Sequence, residues 1–175
     1  MLRFALPILL ACIAVPAAAD PPVNPNMDYD GFVALIQEVR PYRQARLLDW
    51  NAFAAAARER NVLILDARSE GQFAAGHIAG AVNLPLPEFS VERLAEVIGA
   101  NRDRPILIYC NNNFRDDRPP VMLKTGRLAL NLSTFTHLYG YGYRNVRELG
   151  EEVTMDDPRI RWVQGAPQGG RAAPR

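Results

Sequence analysis

Cysteine is nearly missing from this chain. Two occur in 175 residues, at positions 12 and 110, and histidine is equally scarce, at 77 and 137. Isolated His77, His137 and Cys110 offer no ligand spacing for a metal centre, and Glu151-Glu152 and Asp156-Asp157 match no calcium-loop pattern. No metal and no cofactor is therefore expected. An excess of one charge is also lacking: 20 basic residues face 19 acidic ones, which leaves no electrostatic footprint for nucleic acid or an anionic membrane. No run of like charge suggests an interaction tail, and no internal repeat is visible. No apolar run is long enough to span a bilayer comfortably.

The longest apolar run is N-terminal, and it has the layout of an export signal. Arg3 supplies the positive start, Phe4 to Val15 the apolar segment, and Ala17-Ala18-Ala19 a small-residue cleavage site before Asp20. Residues 1–19 are thus expected to be a signal peptide, which makes the mature chain periplasmic or secreted, with no transmembrane span. The stretch Leu9-Leu10-Ala11-Cys12 offers a lipobox as the minor alternative, with Cys12 lipidated. Removal of 1–19 takes away Arg3 and Cys12 and leaves 19 residues of each charge and one cysteine. A lone thiol cannot close an internal disulfide, and in an oxidising compartment it must be buried or used.

Residues 20–44 read as a Pro/Asn-rich linker and a helical extension, capped by Asp30 and ended by Pro41. The domain proper is expected over 45–157. Asp49 caps a helix from Trp50, and Ser90 caps another that Gly99 closes. Ser133 or Thr134 is the expected cap of a last helix ending near Gly140. Short strands are expected at 46–48, 62–65, 81–84, 105–109 and 145–149. The runs Val62-Leu63-Ile64-Leu65 and Ile106-Leu107-Ile108-Tyr109 are apolar throughout, as strands buried on both faces require. Strands alternating with helices predict an α/β fold with a covered parallel sheet and its site at the strand C-termini. Residues 158–175 are rich in Arg, Gly, Pro and Gln and read as a disordered tail.

Cys110 falls just past the end of such a strand, in Tyr109-Cys110-Asn111-Asn112-Asn113-Phe114-Arg115. Asparagines tolerate left-handed backbone angles, so this loop can turn its N–H groups inward as an anion nest. Arg115 adds a permanent cation. Such a setting lowers a thiolate pKa, which makes Cys110 a candidate nucleophile and Arg115 its partner. Asn111, Asn112, Asn113 and Phe114 are then the candidate substrate-binding residues.

This segment resembles the active loop of the rhodanese family, a cysteine followed after four residues by an arginine. Upstream, LILDARSEGQFAAGHIAGAVNLP (63–85) is similar to the family's first signature; downstream, GYGYRNVRELG (140–150) is similar to its closing helix end and strand. The resemblance covers about 100 residues in order. It implies a rhodanese-like three-layer α/β/α fold with a five-stranded parallel sheet. It also implies that Cys110 carries a persulfide between a small sulfur-containing anion or persulfide donor and a thiophilic acceptor, such as a thiol protein. Asp66, Arg68 and His77 become supports of the fold rather than chemical groups.

The chain departs from the family pattern at three places. Asn113 stands where many active members have glycine, Asp116 where they have serine or threonine, and residues 116–131 separate the loop from the helix that usually follows it. With that insertion the helix dipole is not expected to reach Cys110, while Asp116 and Asp117 could raise its pKa. Val121, Met122 and Leu123 are expected to pack down, so that 116–131 forms a lid over the cysteine. Tyr139, Tyr141 and Tyr143 are candidates to line the cleft. Three functions compete: an exported sulfurtransferase, a non-catalytic module for partner binding or sulfur or redox sensing, and a phosphatase or arsenate reductase on a related loop. The last needs one more residue before its arginine and would find Asp116 there.

Overall fold

Neighbouring residues of the two central apolar runs part to opposite faces of one sheet. In the computed structural model, which describes residues 24–165, the elements follow in the order α1 (Tyr29–Gln44), β1 (Leu47–Leu48), α2 (Trp50–Ala56), β2 (Leu63–Asp66), α3 (Glu70–Ala75), β3 (His77–Ile78), β4 (Ala81–Asn83), α4 (Val91–Ile98), β5 (Ile106–Tyr109), α5 (Leu130–Gly140), β6 (Val146–Leu149) and β7 (Trp162–Val163). Leu63, Leu65, Ile106 and Ile108 join one core with Leu94, Phe135 and Leu138, under α1, α4 and α5. Ile64, Leu107 and Tyr109 join the other with Trp50, Phe53 and Phe114, under α2. Side chains alternate along a strand, so a strand apolar at every position can serve two cores at once.

The five-stranded sheet runs β1-β6-β5-β2-β4 and is parallel throughout. The fold is the α/β three-layer arrangement that the sequence implied. β5 lies at its centre, between β2 and β6, with Tyr109 in register with Asp66. Cys110 therefore leaves the C-terminal edge of the middle strand, where an open parallel sheet places its binding crevice.

Asp66 and Arg68 are both buried, with 0% and 1% exposure, and they pair across two bonds from Nη2 and Nε at 2.6 and 3.0 Å. Arg68 Nη2 also donates to the Gly76 carbonyl at 2.8 Å, and the Tyr109 hydroxyl donates to Asp66 at 2.5 Å while accepting from the Ile78 N–H. The cluster ties β2, β5 and the turn before β3 together away from the Cys110 cleft. Beside it, His77 stacks on Phe73 at 3.6 Å between ring centroids, and its Nδ1 meets the Phe73 carbonyl at 2.8 Å. Burial pushes the Tyr109 hydroxyl well above its ordinary pKa, and the Asp66 charge adds to that.

Several boundaries differ from expectation. The cap of α1 is Asp28, which accepts from Gly31 N–H, and the helix runs through Pro41 to Gln44. Its last turn survives the missing donor because Arg43 is fixed by Glu148 and Tyr42 packs on Tyr139. Ser133 and Thr134 lie inside α5, which begins at Leu130 with no side-chain cap. The segment from 158 to 165 is ordered rather than a disordered tail: Ile160 is buried, and β7 pairs antiparallel with β3. Trp162 seals that pairing, lying so close to Gly76 that a Cβ there would meet its Nε1 at 2.2 Å. Residues 1–23, with the expected signal peptide and Cys12, and residues 166–175 lie outside the described residues.

Removing one member of the buried pair should be costly. Arg68→Met leaves Asp66 without its cation and is expected to lower unfolding free energy by about 3–5 kcal/mol in urea denaturation. Tyr109→Phe, which strands one donor and loosens one acceptor, should cost about 1–3 kcal/mol.

Candidate active site

The loop after β5 folds as a tight 3-10 turn at Asn111–Asn113. Asn113 N–H donates to the Cys110 carbonyl and Phe114 N–H to the Asn111 carbonyl, while Arg115 N–H donates to Val153. The Phe114 and Arg115 amides are thus unavailable to an anion, whereas Asn113 N–H also meets the Cys110 side chain. Among the described residues only Asn61 and Asp117 are non-glycine residues at positive φ, so the asparagines do not form the expected left-handed nest. They act instead through their side chains. Asn113 Oδ1 accepts from Cys110 N–H at 2.9 Å, and its Nδ2 donates to the Leu149 carbonyl at 2.7 Å, which ties the loop to the end of β6. Asn111 and Asn112 donate to the carbonyls of Met122 and Lys124.

Two sequence-named residues point elsewhere. Phe114 is wholly buried, edge-on to Tyr109 and Trp162, and belongs to the core rather than to substrate. The Arg115 side chain is 62% exposed and lies beside Glu152, with Nη2 on the Glu152 carbonyl at 3.3 Å. Arg115 is drawn outward because Val153 takes its backbone into a bridge beside Phe114. Asp116 is occupied as well. Burial alone would raise its carboxyl, but bonds from Met155 N–H and the Thr154 hydroxyl outweigh that and hold it below its usual range.

The insertion is not a lid. Val121 is buried, but Met122, Leu123 and Leu128 stay 53%, 42% and 72% exposed. The segment braces the loop from its side through the two asparagine bonds, and Asp117 fastens its turn by accepting from Leu123 N–H. Tyr139 and Tyr143 belong to the core and Tyr141 packs against it, so none of the three lines the cleft.

What surrounds Cys110 is a cleft of about 180 Å³ lined by Arg43, Leu47, Asn131, Leu132, Glu148 and Gly150, with the thiol residue only 2% exposed at its base. The insertion brings the start of α5 back to the cysteine: Asn131 and Leu132 line its cleft, and the amides of Asn131, Asn112 and Leu130 favour the sulfur anion. The helix N-terminus thus faces Cys110, contrary to expectation. Glu148 stands beside it, 3% exposed, held by Arg43 Nε and Nη2 at 2.5 Å each and by Asn131 Nδ2 at 3.2 Å. Asn131 also donates to Asn113 Oδ1, which closes a chain of bonds from α1 to the Cys110 backbone.

Burial is the main force on the thiol and pushes its pKa above the ordinary cysteine value; Glu148 pushes the same way, and the three N–H groups oppose both. Deprotonation of Cys110 is thus opposed by burial and by Glu148, and the amides of Asn131, Asn112 and Leu130 are the groups that favour its anion. Arg43, Asn131 and Glu148 were not legible as site residues. They lie in the last turn of α1, the first turn of α5 and the end of β6, three elements far apart in the chain.

A family model described as "Rhodanese-like domain" matches residues 49–150. The transcriptional regulator Rv0324 of Mycobacterium tuberculosis, an HTH-type protein, is 30% identical over 116 residues, which is 62% of this chain and 40% of that one. The uncharacterized protein YqhL of Bacillus subtilis is 34% identical over 65 residues, 37% of this chain and 48% of that one. The chain therefore spans less than half the length of the curated relatives it matches. Among solved structures, thiosulfate sulfurtransferase from Pseudomonas aeruginosa aligns with TM-score 0.45 at 26% identity over 65% of this chain and 18% of that one. A rhodanese with anions from E. coli aligns with TM-score 0.38 at 21% identity over 59% and 99%.

Two substitutions separate the roles of the charges. Glu148→Gln removes the like charge beside the sulfur, favours the thiolate and lowers the Cys110 pKa. Alkylation by iodoacetamide at pH 7 should accelerate about 3- to 10-fold, with its midpoint shifted to lower pH. Arg115→Ala, by contrast, should change that rate by less than about twofold, because its exposed pairing is screened by solvent.

Proposed function

The chain belongs to the rhodanese-like domain family, and from that membership we propose that it is a sulfurtransferase working through a persulfide on Cys110, exported on the strength of its N-terminal signal pattern. The observation that carries this reading is the placement of Cys110: at the end of the central strand, in a narrow cleft that Asn131 and Leu132 at the start of α5 also line. Hydrogen-bond donors aimed at a developing sulfur anion stabilise it most where water is excluded. In the proposed cycle the Cys110 thiol gives its proton to solvent, and the thiolate attacks the sulfane sulfur of thiosulfate. The S–S bond of thiosulfate breaks, sulfite leaves with the electron pair, and a persulfide anion remains on Cys110 beneath the N–H groups of Asn112, Leu130 and Asn131. An acceptor thiolate then attacks the terminal sulfur, and Cys110 departs as thiolate. The raised thiol pKa favours one competing reading, a catalytically weak module that binds a partner or senses sulfur state.

Incubation of the mature protein with thiosulfate should add one sulfur to the intact mass, removable by cyanide or dithiothreitol, with none added to Cys110→Ser. The yield should rise from pH 6 to pH 9 as the raised thiol ionises. Absence of an adduct across that range selects the binding module. Protein recovered from the cell envelope should have an intact mass that starts near Asp20; retention of residues 1–19, or a diacylglyceryl group on Cys12, contradicts the proposed export signal.

A further inference from the structure

A second cavity, of about 590 Å³, lies between α1 and α5, within the size range of small-molecule sites. Phe32, Ile36 and Leu132 line it as apolar wall, and Arg40, Arg43 and Arg127 give it three cations. Among the described residues, neither Arg40 nor Arg127 forms an ion pair or a side-chain hydrogen bond, while Arg43 is held by Glu148. Phe32 and Ile36 stay 44% and 43% exposed, and Val33 next to them 37%. An apolar strip with unpaired guanidinium groups on it lacks both an apolar cover and a counter-charge.

The cavity is joined to the active-site cleft, because Arg43, Leu47 and Leu132 line both. Positions 43, 40, 36 and 32 step along one face of α1 away from Cys110, three or four residues at a time. The cations therefore lie at the end nearest the sulfur, and the apolar wall continues beyond them. From Arg40 to Phe32 is eight residues, about 12 Å of helix, the length of an alkyl chain of roughly eight to ten carbons.

We propose that this groove binds an amphipathic organic thiol that bears a carboxylate close to its sulfur and a medium-length apolar tail, and that this thiol is the acceptor of the Cys110 sulfur. The inference rests on the reading of Cys110 as a sulfur carrier. The carboxylate lies against Arg40 and Arg127, the tail runs along Ile36 to Phe32, and the sulfur enters the cleft past Arg43. The acceptor thiolate attacks the terminal sulfur of the Cys110 persulfide, whose S–S bond breaks; the acceptor leaves as its own persulfide and Cys110 as thiolate. No oxidant or reductant is consumed. Inorganic donors are too small to touch the apolar wall and use the cleft alone.

Decanoate titrated calorimetrically into the Cys110→Ser protein tests the groove without any chemistry. It should bind at least tenfold more tightly than butyrate, because each buried methylene strengthens binding up to about fourfold. The double variant Arg40→Gln, Arg127→Gln should weaken it at least fivefold. Thiosulfate-loaded wild-type protein should then be discharged by 2-mercaptodecanoate with kcat/KM at least tenfold above that for 2-mercaptopropionate, and Ile36→Asp should abolish the preference. Equal affinity for the two carboxylates, indifference to the arginine changes, or a sedimenting dimer whose assembly Ile36→Asp disrupts would each overturn the groove. A protein that binds decanoate yet loads no sulfur would keep the anion site but refute both the acceptor role and the function proposed above.

Discussion

A carboxylate buried at the end of the sheet sets the arrangement of everything around Cys110. Glu148 is 3% exposed, and an unpaired charge at such depth would be costly. Its neutralisation recruits Arg43 from an element more than a hundred residues upstream, with two short bonds, and Asn131 from the start of α5. The first contact holds the turn of α1 beyond Pro41 and seats the extension against the domain. The second orients α5 so that its first N–H groups meet the cysteine. One buried acid therefore explains why the extension, the last helix and the loop meet at a single strand end.

The same acid acts against the chemistry it organises. Burial and Glu148 favour the neutral thiol, while the amides of Asn131, Asn112 and Leu130 favour the anion. In the sulfur-carrier role proposed above, a persulfide, which ionises more readily than a thiol, would meet less of that opposition. Oxidation follows thiolate character and exposure. The Cys110 thiol, at 2% exposure and with a raised pKa, is guarded on both counts.

The sheet was legible because its central strands are built on unbroken apolar runs, 62–65 and 106–109. The caps Asp49 and Ser90 were legible because each accepts from an N–H within its own first turn. Cys110 stood out for the same local reason. Arg43, Asn131 and Glu148 did not, since a site assembled from residues 17 to 105 positions apart has no spacing to read. Arg115 and Phe114 were misread because a motif gives the order of side chains but not the side of the loop on which each falls. The start of α5 was misplaced because Ser133 and Thr134 look like caps, whereas the true N-cap, Ala129, makes no side-chain bond. β7 was too short to show a period, and its stability comes from Trp162 against Gly76.

The insertion then has a physical account. Lengthening a connection costs only slowly growing closure entropy, about 0.6 kcal/mol for each doubling. Against that stand the contacts that fasten 116–128 at fixed points: Val121 in the core, the carbonyls of Met122 and Lys124 on the loop asparagines, and Asp117 on Leu123. The junction between loop and helix is therefore made through space rather than along the chain. The asparagine triplet that first suggested an anion nest has a different task. Its side chains hold the insertion on one side and β6 on the other, and with that junction fixed the start of α5 lines the cleft of Cys110.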